Sequence, residues 1–199
     1  VYTDEGIVGY GEVDSSPQAV KAIIDSPVSH RLCQGLGQTL IGEDPLEIDR
    51  LWEKMYFNST FYGRRGAAIH AMSGIDIALW DIRGKAFNQP IYKLLGGKFR
   101  SKVRAYASLL MPDTPQECYA EGAKWVEQGF TAVKFGWGGF GQSFKQDVAL
   151  VQAAREALGP DVDLMLDIGF IPSADVPVEA ASRALLLQAI EDYEPYWVE

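Results

Sequence analysis

Three short apolar runs in the second half of the chain end in a charged residue, and those endings are almost evenly spaced. Ala132-Val133-Lys134 comes first, Leu164-Met165-Leu166-Asp167 ends 33 positions later, and Trp197-Val198-Glu199 ends after 32 more. Helix-like segments lie between them. Runs this short and apolar read as buried strands rather than helices. A strand–helix repeat of that length describes successive βαβ units of a parallel sheet or barrel. Side chains alternate faces along a strand, so Met165, Asp167 and Gly169 share one face while Leu164, Leu166 and Ile168 share the other. A carboxylate followed by glycine at a strand's C-terminal end stands where parallel α/β folds build their sites. The plainer reading is that Asp167 caps the next turn.

Two parallel architectures compete. A doubly wound sheet places Gly-x-Gly-x-x-Gly just after its first strand. Gly136-Trp137-Gly138-Gly139-Phe140-Gly141 has that spacing, but it follows the second strand and no acidic ribose partner is evident. A (β/α)8 barrel instead brings Lys134, Asp167 and Glu199 to one rim, and this is the reading adopted. Its first strand is expected at 103–108, with a helix from Thr114-Pro115 to about Gln128 and a second strand at 131–136. A helix carrying Val148, Val151, Ala154 and Leu158 stops at Gly159-Pro160. A further helix through 180–190 precedes the fourth strand at 196–199.

The first half lacks this alternation. Residues 1–13 read as a β-hairpin turning at Thr3-Asp4-Glu5-Gly6. Ser15 or Ser16 caps a helix with Pro17 in its first turn. Leu46, Ile48, Leu51, Trp52 and Met55 give a helix from Pro45 to about Met55. A turn at 62–66 leads into a helix over 67–86, striped by Ile69, Met72, Leu79, Ile82 and Ala86. Its small residues Ala71, Gly74 and Ala78 would let a neighbouring element approach closely. His70 is expected as a packed or solvated helix residue, with Asp76 and Asp81 in local contacts. Pro90 and Gly96-Gly97 punctuate the end of this region.

A net charge of −9 argues against nucleic acid or an anionic membrane as partner, because both need a basic footprint. Cys33 and Cys118 are too few and too scattered for a disulfide framework or zinc knuckle, which fits a cytoplasmic protein. No run approaches a membrane span, and with no basic-then-apolar stretch at its start the expectation is of no signal peptide. Val1 falls inside the hairpin and Glu199 inside a strand, so the expectation is a fragment of a longer protein.

Two carboxylates from neighbouring strand ends suit a hard cation such as Mg²⁺ that also keeps water or substrate ligands. There is no His/Cys cluster of the kind zinc prefers. A nearby Lys134 would hold a small-molecule carboxylate substrate or take part in proton transfer.

At this point the chain resembles the enolase superfamily, in particular the mandelate racemase / muconate lactonizing enzyme group. The most specific piece is Ser73-Gly74-Ile75-Asp76-Ile77-Ala78-Leu79-Trp80-Asp81-Ile82-Arg83-Gly84-Lys85-Ala86, followed by Pro90 and Leu94-Leu95-Gly96-Gly97. Gly9-Tyr10-Gly11-Glu12, Ala132-Val133-Lys134, Leu166-Asp167 and Trp197-Val198-Glu199 are similar to further family motifs. The resemblance implies an α/β fold: an α+β capping domain over 1–100, then the first four strands of a partial (β/α)8 TIM-type barrel over 101–199. It also implies Mg²⁺ held by three carboxylates, of which Asp167 matches the first and Glu199 the second, the third lying beyond this chain. The shared step is abstraction of the proton α to a carboxylate, with the cation neutralising the charge that develops.

One departure matters. The family's Lys-x-Lys on strand two is here Lys134-Phe135-Gly136, so the second lysine, often the base, is absent. Gly169 stands where relatives often carry Asn or His. A two-base racemase is thereby disfavoured, while a dehydratase acting on a sugar-derived or other α-hydroxy acid needs one base and one acid. Racemase, epimerase and cycloisomerase activities remain the alternatives, as does a non-catalytic scaffold. Lys134 is expected to serve the substrate carboxylate more than to act as sole base, with its pKa lowered beside a divalent cation. Homo-oligomerisation is left open.

Overall fold

The structure, a computed structural model, describes residues 1–63, 65–169 and 180–199. Arg64, in the turn expected at 62–66, lies outside these. The chain divides into two compact units, Val1–Ser101 and Lys102–Glu199.

The first unit opens with the expected hairpin, reduced to one antiparallel bridge between Tyr2 and Val8. Gly6 supplies the positive φ of the turn (+79°), and Thr3 closes it by hydrogen bonds with Ile7 from both backbone and side chain. Helices α1 (Pro17–Asp25), α2 (Leu36–Leu40), α3 (Ile48–Asn58), α4 (Ala67–Ala86) and α5 (Ile91–Leu94) follow. Ser16 occupies the N-cap of α1 with Pro17 next to it, although its side chain makes no capping hydrogen bond. α3 starts at Ile48 rather than Pro45. Asp44 Oδ1 accepts the Leu46 N–H at 2.8 Å, and this local turn occupies the residues that would otherwise extend the helix.

Apolar side chains at helical spacing build one core: Leu36, Ile48, Leu51, Met55, Met72, Leu79 and Ile82 are all fully buried. The small residues of α4 do what their spacing suggests. A Cβ on Gly11 would stand 1.9 Å from the Gly74 carbonyl oxygen, and one on Gly9 2.1 Å from that of Ala78. The 9–11 segment therefore lies directly on the α4 backbone. Asp81 secures it by accepting the Tyr10 N–H (2.9 Å) and pairing with Lys85 (2.6 Å). His70 is exposed.

The second unit alternates strand and helix: β1 (Ala107–Leu110), α6 (Pro115–Glu127), β2 (Ala132–Gly136), α7 (Phe144–Leu158), β3 (Asp163–Asp167), α8 (Ala180–Ile190), a 3-10 turn (Glu191–Tyr193) and β4 (Trp197–Val198). All pairings are parallel and the order is β1-β2-β3-β4. This described sheet has no switch point of the doubly wound kind; it is an arc of a barrel.

β1 sits later than the 103–108 expected. Val103 is 79% exposed, and Arg104 is used at the N-terminal strand ends, donating to Thr131 and pairing with Asp163. Pairing runs on instead through Leu109 and Leu110, opposite Phe135 and Gly136.

One face of the sheet holds the core. Ala107, Val133, Phe135, Leu164 and Leu166 pack with Cys118, Leu150, Val151, Ala154 and Leu158. The register puts Ser108, Lys134, Met165 and Trp197 in one row of the opposite face, and Leu110, Gly136 and Asp167 in the next. Glu199 continues that second row, its N–H donating to Leu166 O at 2.8 Å and its carbonyl accepting from Ile168 at 3.0 Å.

Candidate active site

Strand parity puts Lys134, Asp167 and Glu199 on one face. Asp167 ends β3 and Glu199 directly follows β4. Lys134, expected at a strand end, is instead the central residue of β2, opposite Met165, with Gly136 in register with Asp167. Its long side chain reaches up to the rim from one row below. Lys134 Nζ donates to Asp167 Oδ2 at 2.9 Å and lies 3.8 Å from Glu199 Oε2. The ammonium also stands 5.8 Å from the centre of the Trp197 ring, within cation–π range. Lys134 and Asp167 are largely shielded, with side chains 16% and 12% exposed, whereas Glu199 at 67% is open to solvent. The first pair is therefore only weakly screened, and the second more strongly.

Each partner moves the other's pKa. The hydrogen bond from Lys134, and then that from Trp137, hold the Asp167 carboxyl below its usual range despite partial burial. The same bond to Asp167, helped by Glu199, raises the Lys134 ammonium. The lowered pKa expected of Lys134 applies beside a cation; facing carboxylates alone, the ammonium is raised.

Neither glycine of the rim is a simple vacancy. A Cβ on Gly136 would come 2.8 Å from both Asp167 Cβ and the Asp167 carbonyl oxygen. β2 and β3 approach too closely there for a longer side chain in this arrangement. Gly169 has φ +53°, and a Cβ on it would meet the Trp137 ring at 2.8 Å. That ring belongs to Trp137, a site residue that the sequence does not single out. Trp137 Nε1 donates to Asp167 Oδ2 at 3.1 Å. Its one signal in the sequence is an aromatic inside a glycine-rich run directly after a strand, a run whose spacing resembles a phosphate loop.

Asp167 and Glu199 are hard oxygen donors facing one ammonium, and that chemistry suits Mg²⁺ completed by water or substrate. Among the described residues no group of three or more His, Cys, Asp or Glu is placed to hold a metal. No described helix is long and apolar enough to cross a membrane.

Residues 1–96 match the family described as mandelate racemase / muconate lactonizing enzyme, N-terminal domain. Residues 117–199 match the enolase C-terminal domain-like family. The chain is 36% identical over 207 residues to a D-galactonate dehydratase of Pectobacterium atrosepticum, covering all of this chain and 50% of that enzyme. Among solved structures it is similar to the 3,6-anhydro-D-galactonate cycloisomerase of Zobellia galactanivorans (30% identity, TM-score 0.82), covering 99% of this chain and 50% of that one. It is also similar to a mandelate racemase/muconate lactonizing protein of Paracoccus denitrificans complexed with magnesium (28% identity, TM-score 0.81), covering 99% and 52%. The chain thus spans about half the length of the relatives it matches. With its parallel strand arc, its rim of strand-end charges and both family matches, this chain belongs to the mandelate racemase / muconate lactonizing enzyme group of the enolase superfamily.

Proposed function

We propose that the intact protein dehydrates a sugar-derived acid: the proton α to the carboxylate is removed and the β-hydroxyl leaves as water. The observation that carries this reading is the Lys134 ammonium, 2.9 Å from Asp167 and 3.8 Å from Glu199 at neighbouring strand ends. A relative 36% identical is a galactonate dehydratase, and a structural neighbour was solved with magnesium. Asp167 and Glu199 would hold Mg²⁺, which when bound neutralises charge developing on the substrate carboxylate and so acidifies the α-proton. Lys134 binds that same carboxylate and stabilises the negative charge as it forms. The hydrogen bond to Asp167 Oδ2 at 2.9 Å holds its ammonium at the rim. Gly136 and Gly169 offer no proton acceptor, so this rim supplies binding and charge stabilisation, and the base comes from elsewhere in the intact protein. One base and one acid suffice for dehydration, which the missing second lysine favours over two-base racemisation.

The test is turnover of a panel of aldonic and aldaric acids by the intact enzyme, read as 2-keto-3-deoxy acid formation. Activity should vanish in excess chelator, and Asp167→Asn should lose at least about 10²–10³-fold with its circular dichroism unchanged. Lys134→Ala should keep solvent-deuterium exchange at the substrate α-carbon while substrate binding weakens. Undiminished turnover in Asp167→Asn would remove the metal role. Exchange lost completely in Lys134→Ala at saturating substrate, with binding unchanged, would make Lys134 the base.

A further inference from the structure

The loop after β2 is bound down more tightly than a surface connection needs. Met111 N–H donates to Gly136 O at 2.7 Å, Gly139 N–H to Met111 O at 2.9 Å and Phe140 N–H to Trp137 O at 3.0 Å. Gly141 N–H donates to the buried Asp147 carboxylate at 2.9 Å. Trp137 itself is held at φ +55°, a left-handed conformation that costs a bulky residue of order 1–3 kcal/mol. Its N–H donates to the Asp167 carbonyl at 2.8 Å, and its indole lies over Gly169, where only a glycine leaves room. This framework fixes one group at the rim, the indole N–H, 3.1 Å from Asp167 Oδ2.

Two donors therefore converge on the same carboxylate oxygen, Lys134 Nζ and Trp137 Nε1. Among the described residues, Asp167 Oδ1 receives no hydrogen bond. A carboxylate pinned through one oxygen has its rotation fixed and presents the other, which is how neighbouring donors orient a metal ligand. We propose that Trp137 is a positioning residue: its indole N–H fixes the rotation of the Asp167 carboxylate so that Oδ1 faces a divalent cation. Lys134 can then be drawn toward substrate without releasing Asp167, because the indole keeps hold of it. The inference rests on the metal role proposed for Asp167.

The experiment uses intact protein and Mn²⁺, whose free concentration is read by electron paramagnetic resonance with no substrate present. Trp137→Phe keeps an aromatic ring for Gly169 and removes the N–H. It should bind Mn²⁺ about tenfold or more weakly than wild type, with an unchanged melting temperature in chelator. A second measurement needs no variant. The Trp137 indole ¹H–¹⁵N resonance, assigned through its contacts to Gly169, should move on Mg²⁺ addition, because its acceptor engages the cation. Wild-type binding with equal affinity in Trp137→Phe, or with an unmoved indole resonance, overturns the positioning role and leaves the metal role standing. Absence of Mn²⁺ binding by wild type overturns both.

Discussion

Gly136 controls how closely β2 and β3 approach at the rim. With a Cβ there 2.8 Å from Asp167 Cβ and from its carbonyl oxygen, even Gly136→Ala must push one strand away. Overpacking of this kind costs about 1–3 kcal/mol, and that loss should appear as a lower midpoint in urea. A midpoint within error of wild type would mean the strands separate freely. The sequence carried half of this residue-level picture. Asp167 and Glu199 were legible as neighbours and Lys134 as sharing their face, because strand parity places side chains without any knowledge of packing. The row of Lys134, one below Asp167, was not legible, because the strand runs on to Gly136. Trp137 was not, since nothing local announces that a tryptophan will accept a positive φ in order to reach a carboxylate 30 positions away. The absent second lysine was visible as a missing group, but the closure of space around Gly136 belongs to packing and leaves no trace in the string.

Among the elements, α7 carries an unusual burden. Ser143 caps it, accepting the Gln146 N–H, and Asp147 in its first turn is 3% exposed. Burial raises the Asp147 pKa, and the hydrogen bond from Gly141 only partly opposes this. A carboxyl raised in the folded state stays protonated where the unfolded chain has already ionised. Stability is therefore lost as pH rises above the ordinary aspartate value of 3.8. Asp147→Asn keeps an acceptor for Gly141 with no charge to desolvate. It should melt higher than wild type at pH 7, with the difference shrinking as pH falls toward 3.8. A lower melting temperature at pH 7 would show that favourable charge at the helix N-terminus outweighs burial.

The elements also show which signals survive in sequence. α4 was legible because it is long and periodic, and α6 because its start is marked as well, by a full capping box between Thr114 and Glu117. α2 and α5, of five and four residues, are too short to show a period. β1 was displaced because Val103 to Tyr106 alternate like a strand while lying exposed, outside the strand ladder that begins at Ala107.

At the scale of the whole molecule, the two units follow different rules. The first is a helical core with a hairpin segment laid on α4; the second is a strand arc in which β1, β2, β3 and β4 are neighbours in the same order as in the chain. That order has a consequence for synthesis. The ribosome extrudes about 5–20 residues per second, so a βαβ unit of roughly 30 residues takes seconds to emerge, whereas mixed α/β contacts form in about milliseconds to a second. Each emerging strand meets an edge already laid down and never waits for a distant partner. Arrested nascent chains should therefore gain protease resistance in steps, first once β2 has cleared the exit tunnel and again after β3. Resistance arising all at once, only after β4 is out, would show that the arc condenses cooperatively rather than growing from the ribosome strand by strand.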